Sequence, residues 1–166
     1  MSPALIFNLQ LGLGYIAWLL VVSAYVWPRL RAMGAADAQR AIAALHAFRF
    51  FGLVFILPGV AGTHLPQSFA PYAAYGDLAT GVLAMLALTT FSVRPLFWFF
   101  VIAFNVVGVV DLLGNYYHGV STGLPLIAGE LAGTYAIVMI YVPLLMITHV
   151  AAFRLMVRGG LKVRRA

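Results

Sequence analysis

The chain has no cysteine and few charged residues, and each shortage excludes a class of protein. Without cysteine there is no disulfide framework, no thiolate metal site and no thiol redox chemistry. Charged residues make up only 8% of the 166 residues, whereas a soluble domain has about a quarter. Because 64% of the residues are hydrophobic, the sequence predicts an integral membrane protein with a single domain over residues 1–166.

Long apolar runs predict an all-α bundle of five transmembrane helices, since an α-helix needs roughly 20 residues to cross a bilayer. Pro58 lies within the second run and removes one backbone hydrogen bond, so we expect a kink there. The first run lacks a basic leader and a cleavage site, so it is predicted to be a helix rather than a removed signal peptide. The five predicted spans are about Ala4–Trp27, Ala43–Gly62, Tyr75–Thr90, Pro95–Tyr117 and Ile127–Leu155.

The basic residues are distributed unevenly among the loops. None lies in the loops near 63–74 and 118–126, and the rest of the chain holds all ten. Because basic loops stay in the cytoplasm, we predict a multi-pass protein of the cell inner membrane, with the N-terminus outside and the C-terminus inside. Topology and anionic lipid explain the basic tail, so no nucleic-acid partner is expected. The ten are Arg29, Arg31, Arg40, Arg49, Arg94, Arg154, Arg158, Lys162, Arg164 and Arg165.

A polar face interrupts the fourth predicted helix. Asp111, Asn115 and His118 are spaced by four and three residues, which places them on one side of a helix. Asn105 is offset from that face and is predicted near the middle of the membrane. An unpaired carboxylate at depth is expensive, so Asp111 is expected to face the bundle or a water-filled cavity.

Other polar residues are predicted in the same outer half, with no basic partner there. They are Asp77 and Glu130 at the outer ends of their helices and His64 after the second helix. Acids and imidazoles suit a proton, a cation or a small polar ligand. A purely structural role, with Asp111 hydrogen-bonded for packing, is the alternative. The predicted binding site comprises Asp111, Asn115, His118, Asn105, Glu130, Asp77 and His64.

A second polar group is predicted in the inner half, where His46 and Arg49 lie three residues apart. Arg49 is expected to reach the inner surface or a lipid phosphate. The four histidines also divide into an inner pair, His46 and His149, and an outer pair, His64 and His118. Because a b-type haem takes two axial imidazoles from different helices, an electron-transfer protein is an alternative reading. The cofactor content is left open by the sequence.

Two further functions remain open. Small-residue stripes such as Gly59 with Gly62 and Gly81 with Ala84 would allow close helix packing in a homo-oligomer or against a membrane-protein partner. The protein would then be an accessory subunit of a larger complex. An intramembrane enzyme is also possible with acids and histidines in the outer half, but no catalytic motif is present.

Five short motifs, in this order along the chain, resemble a family of small, uncharacterised bacterial polytopic membrane proteins. The resemblance covers the second to fifth predicted helices and implies a multi-helix membrane fold in a bacterium. It implies no particular activity. The motifs are FRFFGLVFILPG (48–59), LPQSFA (65–70), YGDLATGVLAMLAL (75–88), FNVVGVVDL (104–112) and VPLLMITH (142–149).

Overall fold

The computed structural model describes the backbone of residues 1–163 and the side chains of residues 1–158. Over this range the chain is helical and has no β-strand, so the predicted all-α fold is confirmed. Five helices are long and apolar enough to cross a membrane, as predicted. Arg164 and Arg165, which belong to the predicted cytoplasmic tail, lie outside the described residues, as does the side chain of Lys162. The helices are α1 (Pro3–Ala32), α2 (Ala35–Ile56), α3 (Ala70–Thr89), α4 (Arg94–Ser121) and α5 (Ile137–Arg158).

Helix α2 changes its winding halfway along. It is α-helical over Ala35–His46 and continues as a 3-10 helix over Ala47–Ile56. The helix ends before Pro58, because Leu57 is already extended (φ −82°, ψ 118°). A proline disfavours helical geometry in the residue before it, which explains this ending. The predicted span Ala43–Gly62 was therefore displaced toward the C-terminus, and the predicted kink at Pro58 is wrong.

The segment before α5 is irregular rather than part of the membrane-length helix. Leu124–Thr134 forms 3-10 turns that are broken at Ile127 and at Ala132, whose φ is +43°. Helix α5 then opens with a π-helical turn, Ile137–Tyr141. The predicted start of this span at Ile127 is wrong, and Glu130 consequently lies in a connecting segment and not at the top of α5.

Helix α1 packs against the π-helical turn of α5. The indole Nε1 of Trp18 donates a hydrogen bond to the carbonyl of Ile140 at 2.7 Å. Gly14 lies so close to the same turn that a Cβ there would be 2.5 Å from the carbonyl oxygen of Met139. Only 11% of the most apolar part of α1 is buried, so this helix lies at the edge of the bundle.

Helix α3 lies between α2 and α4. It packs against the 3-10 part of α2 on one side and against α4 on the other. Small residues permit the contact, as shown by Gly81, where a Cβ would lie 2.8 Å from the backbone nitrogen of Phe50. Ala74, Ala84 and Ala87 on the same helix are completely buried. The predicted small-residue stripe of α3 therefore serves packing within the chain.

One end of the bundle is basic. The guanidinium carbons of Arg40 and Arg94 lie 4.4 and 4.6 Å from the ring centre of Phe91. The start of α2 and the connection between α3 and α4 are thus neighbours. We call this the basic end, and the opposite end holds residues 58–69 and Leu124–Thr134.

Candidate functional site: a buried arginine shared by two aspartates

Arg49 is completely buried, whereas Arg40 on the same helix is exposed. Arg49 belongs to the 3-10 part of the helix, in which residues three apart share a face. His46, Arg49, Gly52 and Phe55 follow this three-residue spacing and are all buried. The 3-10 winding therefore keeps one face of the helix buried over three turns, and the Arg49 guanidinium lies on that face.

Two aspartates on different helices pair with Arg49. Its Nε donates to Oδ1 of Asp77 on α3 at 2.6 Å, and its Nη2 donates to Oδ2 of Asp111 on α4. Its Nη1 also faces the carbonyl of Gly108 at 3.4 Å. The expectation that Arg49 reaches the inner surface or a lipid phosphate is wrong, and so is the expectation that the acids have no basic partner.

The position of this group along the bundle follows from helix geometry. Asp111 lies 17 residues after Arg94, or about 26 Å along α4. Asp77 lies 12 residues before Thr89, or about 18 Å along α3. A bilayer's hydrocarbon core is about 30 Å thick. The three charged residues therefore lie between the middle of the bundle and the end opposite the basic residues.

Histidine and asparagine side chains continue the network toward the basic end. Nη1 of Arg49 lies 3.3 Å from Nε2 of His149, and Nδ1 of His149 lies 2.9 Å from Oδ1 of Asn105. A guanidinium can only donate, so Nε2 of His149 accepts and Nδ1 carries the proton. The amide nitrogen of Asn105 donates to the carbonyl of Val101 at 2.8 Å. These contacts fix the tautomer and the orientation of His149.

His46 lies beside His149, and this arrangement does not fit a haem between them. The ring centres are 4.1 Å apart, whereas the axial imidazoles of a haem lie on opposite sides of the iron. Nε2 of His46 contacts the hydroxyl of Thr148 at 3.0 Å. Among the described residues, no group of three or more His, Cys, Asp or Glu residues is arranged to hold a metal ion.

Glycines allow the backbone to close around the charged groups. A Cβ on Gly52 would collide with the carboxylate of Asp77, and one on Gly76 would collide with that of Asp111. A Cβ on Gly108 would lie 2.7 Å from Nη1 of Arg49. We call Gly52, Gly76 and Gly108 the contact glycines. Each comes from a different one of the three helices that carry the ion pairs.

Asn115 and His118, both predicted with Asp111, have different surroundings. The amide nitrogen of Asn115 donates to Oδ1 of Asp111 at 3.2 Å, so these two side chains do meet. The ring of His118 instead packs against Tyr72 and Tyr117, with ring centres 4.8 and 5.4 Å away. His118 therefore contacts an aromatic group near the end of α4 and not the ion pairs.

Glu130 and His64 meet at the end opposite the basic residues. Oε2 of Glu130 accepts a hydrogen bond from the backbone nitrogen of His64 at 3.0 Å. The carbonyl of Glu130 also accepts from the backbone nitrogen of Gly62 at 2.8 Å. Glu130 thus joins the two connecting segments, and the structure does not bring either residue to Arg49.

A cavity of about 110 Å³ leads from the same end to the charged group. Asp77 and Asn115 form its polar part, and Asn8 and Tyr116 also line it. The remaining walls are largely apolar and come from α1, α2, α3, α4, α5 and the segment after α4. They include Phe7, Leu11, Phe55, Phe69, Ala73, Leu112, Gly119 and Val138.

The fold and the site together define a class: a helical bundle with five helices of membrane-spanning length around an arginine that two aspartates share. The chain belongs to a family described as a domain of unknown function (DUF8737), whose model matches residues 6–157. The sequence-based resemblance to an uncharacterised family is thereby confirmed. Searches of curated proteins and of solved structures found no match.

Proposed function

We propose that this chain is a multi-pass protein of a bacterial inner membrane that binds a proton or a small cation beside Asp111. The observation that carries the proposal is the charge of the buried site. Asp77 and Asp111 supply two carboxylates against the single guanidinium of Arg49, and all three side chains are buried. Ionisable residues at membrane depth are expensive and mark functional sites by default.

The surplus carboxylate needs a positive partner. With both acids ionised the group has a net charge of −1, and an uncompensated charge in an apolar interior is strongly unfavourable. His149 cannot neutralise it while Nε2 accepts from Arg49. A proton on one carboxyl, or a small cation beside it, removes the surplus. Asn115 extends the site because it donates to Asp111 from the cavity side.

Asp111→Asn is expected to abolish this binding while the protein still folds, because asparagine keeps the shape and removes the surplus charge. Infrared spectra of purified protein in a buffer without small metal cations would show the carbonyl stretch of a protonated carboxyl in the wild type and not in the variant. A bound small cation should remove the same signal. Cation at 100 times its Kd should also raise the free energy of unfolding by about 2.7 kcal/mol.

The matched control is Asp37→Asn, since Asp37 is an exposed acid on the same chain. This variant should keep both the protonated-carboxyl signal and the effect of cations on stability. If the wild type shows neither, the three charged residues form a purely structural ion-pair group and the binding proposal is overturned.

The proposed orientation places the basic end in the cytoplasm and the N-terminus outside. The absence of cysteine makes this testable, because a single introduced cysteine is the only thiol. Gly129→Cys lies at the end opposite the basic residues, where a Cβ meets no atom within 4 Å. A membrane-impermeant maleimide should label it in intact cells, whereas Met33→Cys at the basic end should react only after lysis. The reverse pattern would contradict the orientation.

An accessory role in a larger membrane complex is the second candidate. It is favoured by α1, which leaves a row of large apolar side chains exposed, among them Leu9, Leu13 and Ile16. Such a face packs equally well against lipid or against a partner helix. Purification in mild detergent with a second polypeptide in fixed proportion would favour this role, and a monomer with the Asp111-dependent signal would favour the binding site.

A further inference from the structure

Asp77 and Asn115 line the polar end of the cavity, and each side chain carries an acceptor oxygen without a hydrogen-bond partner among the described residues. Oδ1 of Asn115 is buried and has no hydrogen-bond partner among the described residues. The amide nitrogen of the same side chain already donates to Asp111, so this orientation is fixed. Asp77, which is 8% exposed, bonds Arg49 through Oδ1 alone, which leaves Oδ2 available as an acceptor. A ligand that satisfies this end must therefore bring donors.

The other polar groups of the lining do not supply a competing positive charge. The hydroxyl of Tyr116 is engaged with that of Tyr15 at 2.5 Å, and Arg49 is enclosed behind the two aspartates and the contact glycines. The charged group that includes Asp77 has a formal charge of −1 when both acids are ionised. Charge and hydrogen bonding both select a cationic donor.

The apolar walls and the volume of the cavity restrict the part of the ligand that lies beyond its cationic group. Phe7, Phe55 and Phe69 line the cavity with aliphatic residues, and such a surface favours an apolar body. An apolar protein cavity of roughly 150 Å³ is known to hold benzene. A volume of about 110 Å³ therefore suits a short alkyl chain of roughly four to six carbons.

We infer that this cavity binds a primary ammonium group on a short apolar body, with the ammonium between Asn115 and Asp77. The inference rests on the proposed function, because the ammonium is the cation that neutralises the surplus carboxylate. The ammonium donates to Oδ1 of Asn115 and to the free oxygen of Asp77. Its alkyl chain lies against the phenylalanines, toward Val120, Leu124 and Pro125 at the end opposite the basic residues.

Gly119→Val tests the cavity without touching a charged group. A Cβ at Gly119 would have its nearest neighbours at 3.6 Å (Leu124) and 4.0 Å (Phe69), so the backbone accepts a side chain that extends into the cavity. The matched control is Gly12→Val on α1, where a Cβ meets nothing within 4 Å. Ala73→Leu fills the same cavity from α3 and serves as a second variant if Gly119→Val does not fold.

The probe is n-butylammonium, compared with n-butanol, measured by equilibrium dialysis with protein in phosphatidylcholine nanodiscs. The wild type and Gly12→Val should bind the amine with equal affinity, and the alcohol at least tenfold more weakly. Both cavity-filling variants should lose at least tenfold in affinity for the amine. Equal binding of alcohol and amine, or unchanged binding in both cavity-filling variants, would overturn the inference.

Two further measurements are needed. One distinguishes a lipid headgroup from a free amine as the source of the ammonium, and the other distinguishes the amine site from the proposed proton or cation site. If phosphatidylethanolamine in the nanodisc competes with butylammonium, the lipid headgroup supplies the ammonium, and if it does not, a free amine is the ligand. The Asp111-dependent carboxyl signal should persist in Gly119→Val. No amine binding together with a persistent signal would therefore remove the amine site and leave the proposed proton or cation site standing.

Discussion

Arg49→Ala should lower the free energy of unfolding by roughly 3–5 kcal/mol, because removing one partner of a buried ion pair leaves uncompensated charge behind. Here two carboxylates lose the same partner, since Asp77 and Asp111 both bond the guanidinium. The measurement is denaturant-induced unfolding of the purified protein in a mild detergent. Arg31→Ala is the control, since Arg31 is exposed near the end of α1 and its loss should change stability by less than about 0.5 kcal/mol.

The effect of the unpaired carboxylates on the stability of Arg49→Ala can be separated from the effect of lost packing. Adding Asp77→Asn and Asp111→Asn to Arg49→Ala removes the unpaired charges and should restore a large part of the lost stability, because neutral amides are far less unfavourable in an apolar interior. If the triple variant is no more stable than Arg49→Ala, or if Arg49→Ala matches Arg31→Ala, the ion pairs do not hold the bundle together.

Gly76→Ala has the second largest expected effect, although it adds only one methyl group. The new Cβ would occupy the space of the Asp111 carboxylate, and insertion into a packed interior typically costs about 1–3 kcal/mol. The same change at Gly12, where a Cβ meets nothing within 4 Å, should instead stabilise α1 by up to about 1 kcal/mol. Thermal unfolding of the two variants under identical conditions would give the comparison.

A second substitution shows whether the effect of Gly76→Ala is steric. Asp111→Asn has the same shape as the wild type and should not relieve the collision, whereas Asp111→Ala vacates the space and should relieve it. Relief by asparagine as well as by alanine would mean that the charge of Asp111, and not its volume, opposes the methyl group. That result would contradict the close contact of α3 and α4 at this point.

The sequence predicted the helical class and most helix positions because long apolar runs carry that information directly. Spacing also predicted that Asp111 and Asn115 would lie together, since residues four apart share a face of an α-helix. His118 continues the same face about one turn further along, where its ring packs against Tyr72. Spacing failed for Glu130, because the irregular backbone of Leu124–Thr134 has no apolar period that would reveal it.

Arg49 was assigned to the wrong surroundings for an identifiable reason. The positive-inside pattern describes loops and helix ends, so it predicts the wrong surroundings for a lone arginine within a helix. His46, Arg49, Gly52 and Phe55 share a face only because the helix is wound as a 3-10 helix, and they have no common side-chain character that would mark this in the sequence. The partners themselves were not predictable, because the order of helices in a bundle depends on contacts far apart in sequence.

The 3-10 part of α2 also connects the pitch of one helix to the shape of the cavity. A 3-10 helix turns by about 120° and rises by about 2.0 Å per residue, against about 100° and 1.5 Å in an α-helix. Rewinding Ala47–Ile56 to α-helical pitch would shorten α2 by about 5 Å. It would also rotate Phe55 by about 120° relative to Arg49 and remove its ring from the cavity wall. The winding of these ten residues thus sets the orientation of Phe55 in the cavity wall relative to Arg49 in the ion pairs.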